Sequence, residues 1–162
     1  MIVPFNDIPK WCKLWIFPSS RKFYPQEVSE LQESIEKFLN EWTLNGTPII
    51  NSYQVKYDRF IIIAVDNSEI SLSVESIDTL TNFIIELQKK YDLMLLDKIN
   101  VCYKQGQFVQ YKDLKEFKKM IKARGVSQKT IVFDNMISTV EELEFDWEIN
   151  IMDSFLGRLL QK

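Results

Sequence analysis

Phe60-Ile61-Ile62-Ile63-Ala64-Val65 is the stretch on which the fold turns. Six apolar residues without polar alternation read as a strand buried on both faces, and Asp66 closes it. Just before it, Ser52 to Tyr57 alternates polar and apolar residues as a half-exposed strand does. A tight turn near Asp58 then makes 49–57 and 59–66 a hairpin, with its second strand in the centre of a sheet.

Outward from this hairpin the chain alternates helices and strands. Lys13 to Phe17 reads as a first strand ended by Pro18. Pro25 suits the first turn of a helix, and Val28, Leu31, Ile35, Phe38 and Trp42 follow at the spacing of one buried face. Asn45-Gly46 and Pro48 break that helix. After the polar loop 66–75, Ser76 is the expected cap of a second helix, with Asp78 in its first turn and Ile77, Leu80, Ile84, Leu87 and Tyr91 as its apolar stripe. Lys98 to Tyr103 and Gln107 to Tyr111 flank Gly106 as a second hairpin. Asp113 caps a third helix that Gly125 is expected to end in the left-handed conformation. A strand over Lys129–Asp134 and a short helix over Asp153–Gln161 complete the reading. The first two thirds therefore run β, α, β, β, α, β, the order of the ferredoxin-like unit, with an added hairpin, helix and strand. The fold class expected is α+β: an antiparallel or mixed sheet packed on helices in two layers, one domain over 1–162 with an acidic C-terminal segment from about residue 140.

Composition removes most enzyme classes. With no histidine among 162 residues there is no Ser-His-Asp or Cys-His pair and no HExxH helix. The four glycines, Gly46, Gly106, Gly125 and Gly157, stand alone, so neither a phosphate loop nor a dinucleotide turn can be written. Cys12 and Cys102 lie far apart without CxxC spacing; they read as small buried residues that stay reduced, and neither a metal nor a cofactor is expected. The N-terminal residues lack a secretory signal pattern, and the six-residue apolar run is far short of the ~20 a membrane helix needs. A cytoplasmic protein is expected.

Charge is uneven along the chain. Residues 104–129 carry 8 basic and 2 acidic side chains, and 130–162 carry 2 basic and 7 acidic ones. The two blocks either attract each other within the fold or form surfaces for partners. Lys112, Lys115, Lys118, Lys119, Lys122 and Arg124 make the basic face, and Trp147, set in an acidic context, is a candidate interface anchor. A protein or assembly partner and a nucleic acid are both open to the basic face. Arg21 and Arg59 are expected to brace the fold against Asp78 or Asp97, or to hold a small anion at the cap of the second helix beside Ser76 and Asp78. Asp66 and Asp134 follow apolar strands and Asp97 precedes one. If these three converged within roughly 4 to 6 Å they would suit a metal-dependent hydrolase or nuclease; otherwise each serves its own turn.

Several segments also carry a resemblance: Trp15-Ile16 with Ser20-Arg21-Lys22-Phe23, Tyr57-Asp58-Arg59-Phe60, Ala64-Val65-Asp66, Ser76-Ile77-Asp78, Leu95-Leu96-Asp97-Lys98, Lys104-Gln105-Gly106 and Thr130-Ile131-Val132-Phe133-Asp134-Asn135. From Val3 to Trp147 the chain resembles a family of short cytoplasmic proteins of Bacteroidetes bacteria commonly labelled "ABC transporter ATPase". The label implies a phosphate loop and a signature Ser-Gly-Gly segment, and the chain has neither. Val74-Glu75 stands where the family leads one to expect Gly-Cys, so any thiol role there is absent. The function expected from the residues is that of a non-enzymatic interaction or adaptor protein attached to a larger assembly; the alternative is the carboxylate-based hydrolase.

Overall fold

The Phe60–Val65 run forms strand β5, buried along its whole length. Strand β1 (Lys13–Pro18) pairs with it on one side and β4 (Asn51–Lys56) on the other, both antiparallel. Between β4 and β5 the chain turns through Tyr57 and Asp58, with φ angles of 56° and 50°. The loop holds three residues, Tyr57 to Arg59, because Lys56 pairs with Phe60; its first two are left-handed, and the Arg59 N–H closes the turn onto the Lys56 carbonyl at 3.0 Å. These elements belong to a computed structural model that describes residues 1–160.

Helix α1 (Pro25–Glu41) begins at a proline, whose missing N–H costs nothing there, and the Glu27 carboxylate accepts the Tyr24 N–H at 2.8 Å. Beyond α1 a small hairpin, β2 (Thr43–Leu44) and β3 (Thr47–Pro48), turns at Asn45-Gly46. Helix α2 (Val74–Tyr91) is capped by Ser73, whose Oγ accepts the Ser76 N–H at 3.1 Å. The cap thus lies three residues before the Ser76 expected from sequence. Ser76 is the residue whose N–H the cap satisfies, and it lies buried in the first turn. Leu31, Ile35 and Leu39 of α1 and Leu80, Ile84 and Leu87 of α2 pack on Ile61, Ile63 and Val65.

The order β1-β5-β4 is that of a split βαβ unit, with the third strand inserted between the first two. In the ferredoxin plan the next strand would border β1. Here β6 (Val101–Gln105) instead joins a second antiparallel sheet with β7 (Phe108–Lys112), β8 (Ile131–Phe133) and β9 (Glu148–Asn150), in the order β7-β6-β8-β9. The cause is in β5. Its second face, Phe60 and Ile62 with Leu14 and Ile16 of β1, is as apolar as the first, and it is covered by Cys102, Phe133, Ile137 and Trp147 from the second sheet and its connections. The outer face of that sheet, Val101, Tyr103 and Val132, carries Phe117 and Ile121 of α3 (Leu114–Lys122). The α+β architecture is therefore two sheet-on-helix units placed back to back. Tyr57 links them at the edge: its hydroxyl donates to Glu148 at 2.8 Å, and Glu148 pairs with Lys104.

Two C-terminal expectations change. Helix α3 ends with Arg124, not Gly125, in the left-handed region (φ 61°), while the Gly125 N–H closes the helix onto the Met120 carbonyl at 2.8 Å. Of the helix expected over Asp153–Gln161, the described part forms two short 3₁₀ turns, Ile151–Asp153 and Gly157–Leu159; Gln161 lies outside the described residues. Ser154 separates the turns, its hydroxyl donating to the Ile151 carbonyl at 2.6 Å and accepting the Leu156 N–H at 3.2 Å. Gly157 then passes so close to Met152 that a Cβ would fall 2.5 Å from the Met152 carbonyl oxygen.

Candidate functional site

Asp113 starts α3 by accepting the N–H groups of Lys115 and Glu116 at 2.8 and 3.3 Å. The helix must bury Phe117 and Ile121, so its 3.6-residue period turns Lys115, Lys118, Lys119 and Lys122 to solvent. Only Lys119 of these has an acid partner, Glu116 at 3.4 Å in the same helix. Among the described residues no carboxylate lies at ion-pair distance from Lys112, Lys115, Lys118, Lys122 or Arg124. Beside this face runs a groove of about 580 Å³. Its floor is aliphatic, from Ile121, Val126, Leu159 and Leu160, and Lys118, Lys122 and Arg124 form its rim.

The acidic residues that follow do not neutralise this face. A short helix absent from the sequence reading, α4 (Val140–Phe145), is held at the start of β1 by Val140 N–H on Cys12 O (3.1 Å) and Glu141 N–H on Lys10 O (2.8 Å). Its signal was present as Thr139-x-x-Glu142, a capping box in which Glu142 accepts the Thr139 N–H at 3.1 Å. The Ser138 N–H at 3.2 Å, joined by the Thr139 hydroxyl at 3.0 Å, holds the Glu142 carboxyl below its usual range. Glu144 faces Lys10 at 3.8 Å, and both are well exposed. Among the described residues the two charge blocks meet at one ion pair, Lys104–Glu148.

Trp147 is corrected outright. It is 1% exposed, lies against Phe60 and Phe133 with ring centroids 4.9 Å away from each, and donates its indole N–H to Asn135 Oδ1 at 3.0 Å. The acidic stretch before it is the solvent side of α4, while the Asp134 N–H bonded to the Trp147 carbonyl (2.7 Å) draws the ring inward beside β9. Exposed aromatics lie elsewhere, among them Trp11 (70%) and Phe145 (63%) near α4, and Phe108 and Phe155 (60% each).

The arginine expectations change as well. Arg21 forks onto Glu27 at 2.8 and 3.0 Å and donates to the Tyr91 carbonyl at 2.7 Å, so it braces α1 against the end of α2 without Asp78 or Asp97. Glu27 is the nearer carboxylate because the capping turn of α1 presents it. Arg59 is buried and donates to the Ser19 carbonyl at 3.0 Å, with no ion-paired acid among the described residues; burial lowers its pKa. Asp78 is an exposed residue of α2.

Asp66, Asp97 and Asp134 are not brought together. Asp66 accepts from the Ser68 N–H at 3.1 Å, Asp97 from the Ile99 N–H at 3.2 Å, and Asp134 from the Met136 N–H at 3.0 Å. Each carboxylate holds its own turn, and among the described residues no three His, Cys, Asp or Glu side chains gather at metal-binding distance. Cys12 and Cys102 are free and fully buried, and burial pushes the Cys102 thiol up to about 12. A separate cleft of about 380 Å³ opens between β6 and the 3₁₀ turns, lipped by exposed Ile99, Met136 and Phe155. Lys98 lines it, its ammonium 5.2 Å from the Phe17 ring centroid and its pKa lowered by burial.

Among the described residues no helix is long and apolar enough to cross a membrane. No family model, no curated protein and no solved structure matches the chain.

Proposed function

We propose that this protein is a non-enzymatic interaction or adaptor protein of the cytoplasm, joined to a larger assembly through the basic face of α3. The observation that carries this reading is a group of cations without an acid partner among the described residues, Lys115, Lys118, Lys122 and Arg124, beside an aliphatic groove. Exposed charges of this kind contribute little to stability, whereas a rim of them beside an apolar floor adds orientation and on-rate to binding. The groove floor favours an acidic amphipathic protein segment over a nucleic acid. Ile121, Val126, Leu159 and Leu160 can take an apolar side chain, but they offer no aromatic plane on which a base could stack. The carboxylate-based hydrolase loses its support, because its three acids serve three separate turns.

The test uses a defined probe, fluorescent poly(Glu,Tyr), which carries acids and aromatic rings in one chain. Binding followed by anisotropy is expected for the wild type in low salt and should fade as salt rises. Changing Lys115, Lys118 and Lys122 together to Gln should weaken it at least about tenfold while leaving the melting temperature nearly unchanged. Unaltered copolymer binding by that variant contradicts the reading. So does a wild type that ignores the copolymer and binds a single-stranded oligonucleotide instead.

A further inference from the structure

The same chain that carries the basic groove also carries its complement. Glu141, Glu144 and Asp146 are exposed on and just after α4, and Phe145 among them is 63% exposed. Trp11, 70% exposed, is brought beside this helix by the bond from the Glu141 N–H to the Lys10 carbonyl. The result is a knob with aromatic residues and a rim of three acids, of which Glu144 faces Lys10 at 3.8 Å while Glu141 and Asp146 have no ion-pair partner among the described residues. Single exposed apolar residues need no explanation, but two large aromatics set beside three acids form a patch of the kind that marks an interaction site. The groove beside α3 has the opposite composition, aliphatic below and cationic at the rim. Within one copy the two are kept apart. Backbone bonds pin α4 to the start of β1, whereas α3 rides on the outer face of the second sheet, and among the described residues no ion pair joins α3 to α4.

We propose that the occupant of the basic groove is the α4 knob of a second copy of this chain, so that the protein assembles head to tail. The inference rests on the reading of α3 as a docking face for an acidic amphipathic segment, and it names that segment. Phe145 fills the space over Ile121 and Leu159, while Glu141 and Glu144 meet Lys118 and Lys122. Because knob and groove are different surfaces, an open assembly keeps one free knob at one end and one free groove at the other until a ring closes. The contact is heterologous, and it gives a ring or an open filament instead of a closed two-fold dimer.

Sedimentation velocity on the full chain, from low micromolar to near-millimolar concentration, tests this. In low salt the weight-average mass of the wild type should rise with concentration to about twice the monomer mass or beyond, and high salt should return it to the monomer. A knob variant, Glu141→Lys with Glu144→Lys, and a groove variant, Lys118→Glu with Lys122→Glu, should each stay monomeric because like charges then face each other. Mixed in equal amounts they should associate, since each supplies the charge the other has lost. All four positions are exposed, so the melting temperatures serve as a check that both variants fold. A wild type that remains monomeric throughout overturns the self-assembly, as does a mixture that fails to associate. If such a monomer still binds poly(Glu,Tyr) through Lys118 and Lys122, the docking face stands and only its occupant is wrong. If it binds no copolymer, the docking face falls as well.

Discussion

Ile62→Asp is expected to leave no folded protein. Ile62 is fully buried in the middle of β5, paired with Ile16 on one side and Gln54 on the other, and its side chain lies between the two sheets with Leu14, Phe60 and Trp147. A carboxylate there is surrounded by apolar side chains, and the buried cation just before the strand, Arg59, is committed to the Ser19 carbonyl. Burying an unpaired charge costs several kcal/mol or more, the scale of a whole domain's stability of about 5 to 15 kcal/mol. Expression should yield insoluble chain, or a soluble species without cooperative melting. A soluble variant with a native-like transition would mean that this face of β5 meets solvent and that the sheets do not pack as described.

Trp147→Ala should cost about 3 to 5 kcal/mol, the range for removing a large buried aromatic. Its ring closes the inter-sheet cluster against Phe60 and Phe133, and its loss also leaves the side-chain amide oxygen Oδ1 of Asn135 without the indole donor. Chemical denaturation should show a lower midpoint with little change in slope, and Asn135→Ala should give a smaller loss in the same direction. A cost below about 1 kcal/mol would place Trp147 at the surface, where the charge pattern of the sequence suggested it belonged.

That misreading separates what the sequence carries locally from what it does not. Hairpin β4–β5, helices α1, α2 and α3, and hairpin β6–β7 were legible because each is written in a short-range signal: a six-residue apolar run, a stripe at helical spacing, an Asp113 cap, a turn at Gly106. The membership of β6 was not legible. Its pairing with β8 is a contact between Tyr103 and Val132, and nothing near Tyr103 in sequence specifies it. The demand for a second sheet was nonetheless present in β5, whose two apolar faces need two covers. Trp147 was misplaced because Glu141 to Asp146 were read as one acidic tract; the Thr139–Glu142 capping box makes them a helix with an exposed acidic side, and β9 then pairs with β8. At the site, the lysines of α3 followed from helical period, while the groove beside them depends on Leu159 and Leu160 returning from the C-terminal turns, a non-local event.

In the proposed function the cations of α3 and the aliphatic groove beside them act as one docking surface. Amide chemical-shift mapping of the full chain against poly(Glu,Tyr) in low salt tests it most directly. Shifts confined to residues 112–126 and 158–160 are expected, abolished by Lys118→Glu with Lys122→Glu. Shifts centred on the cleft beside Lys98, or spread evenly over the lysines of the whole surface, would contradict it.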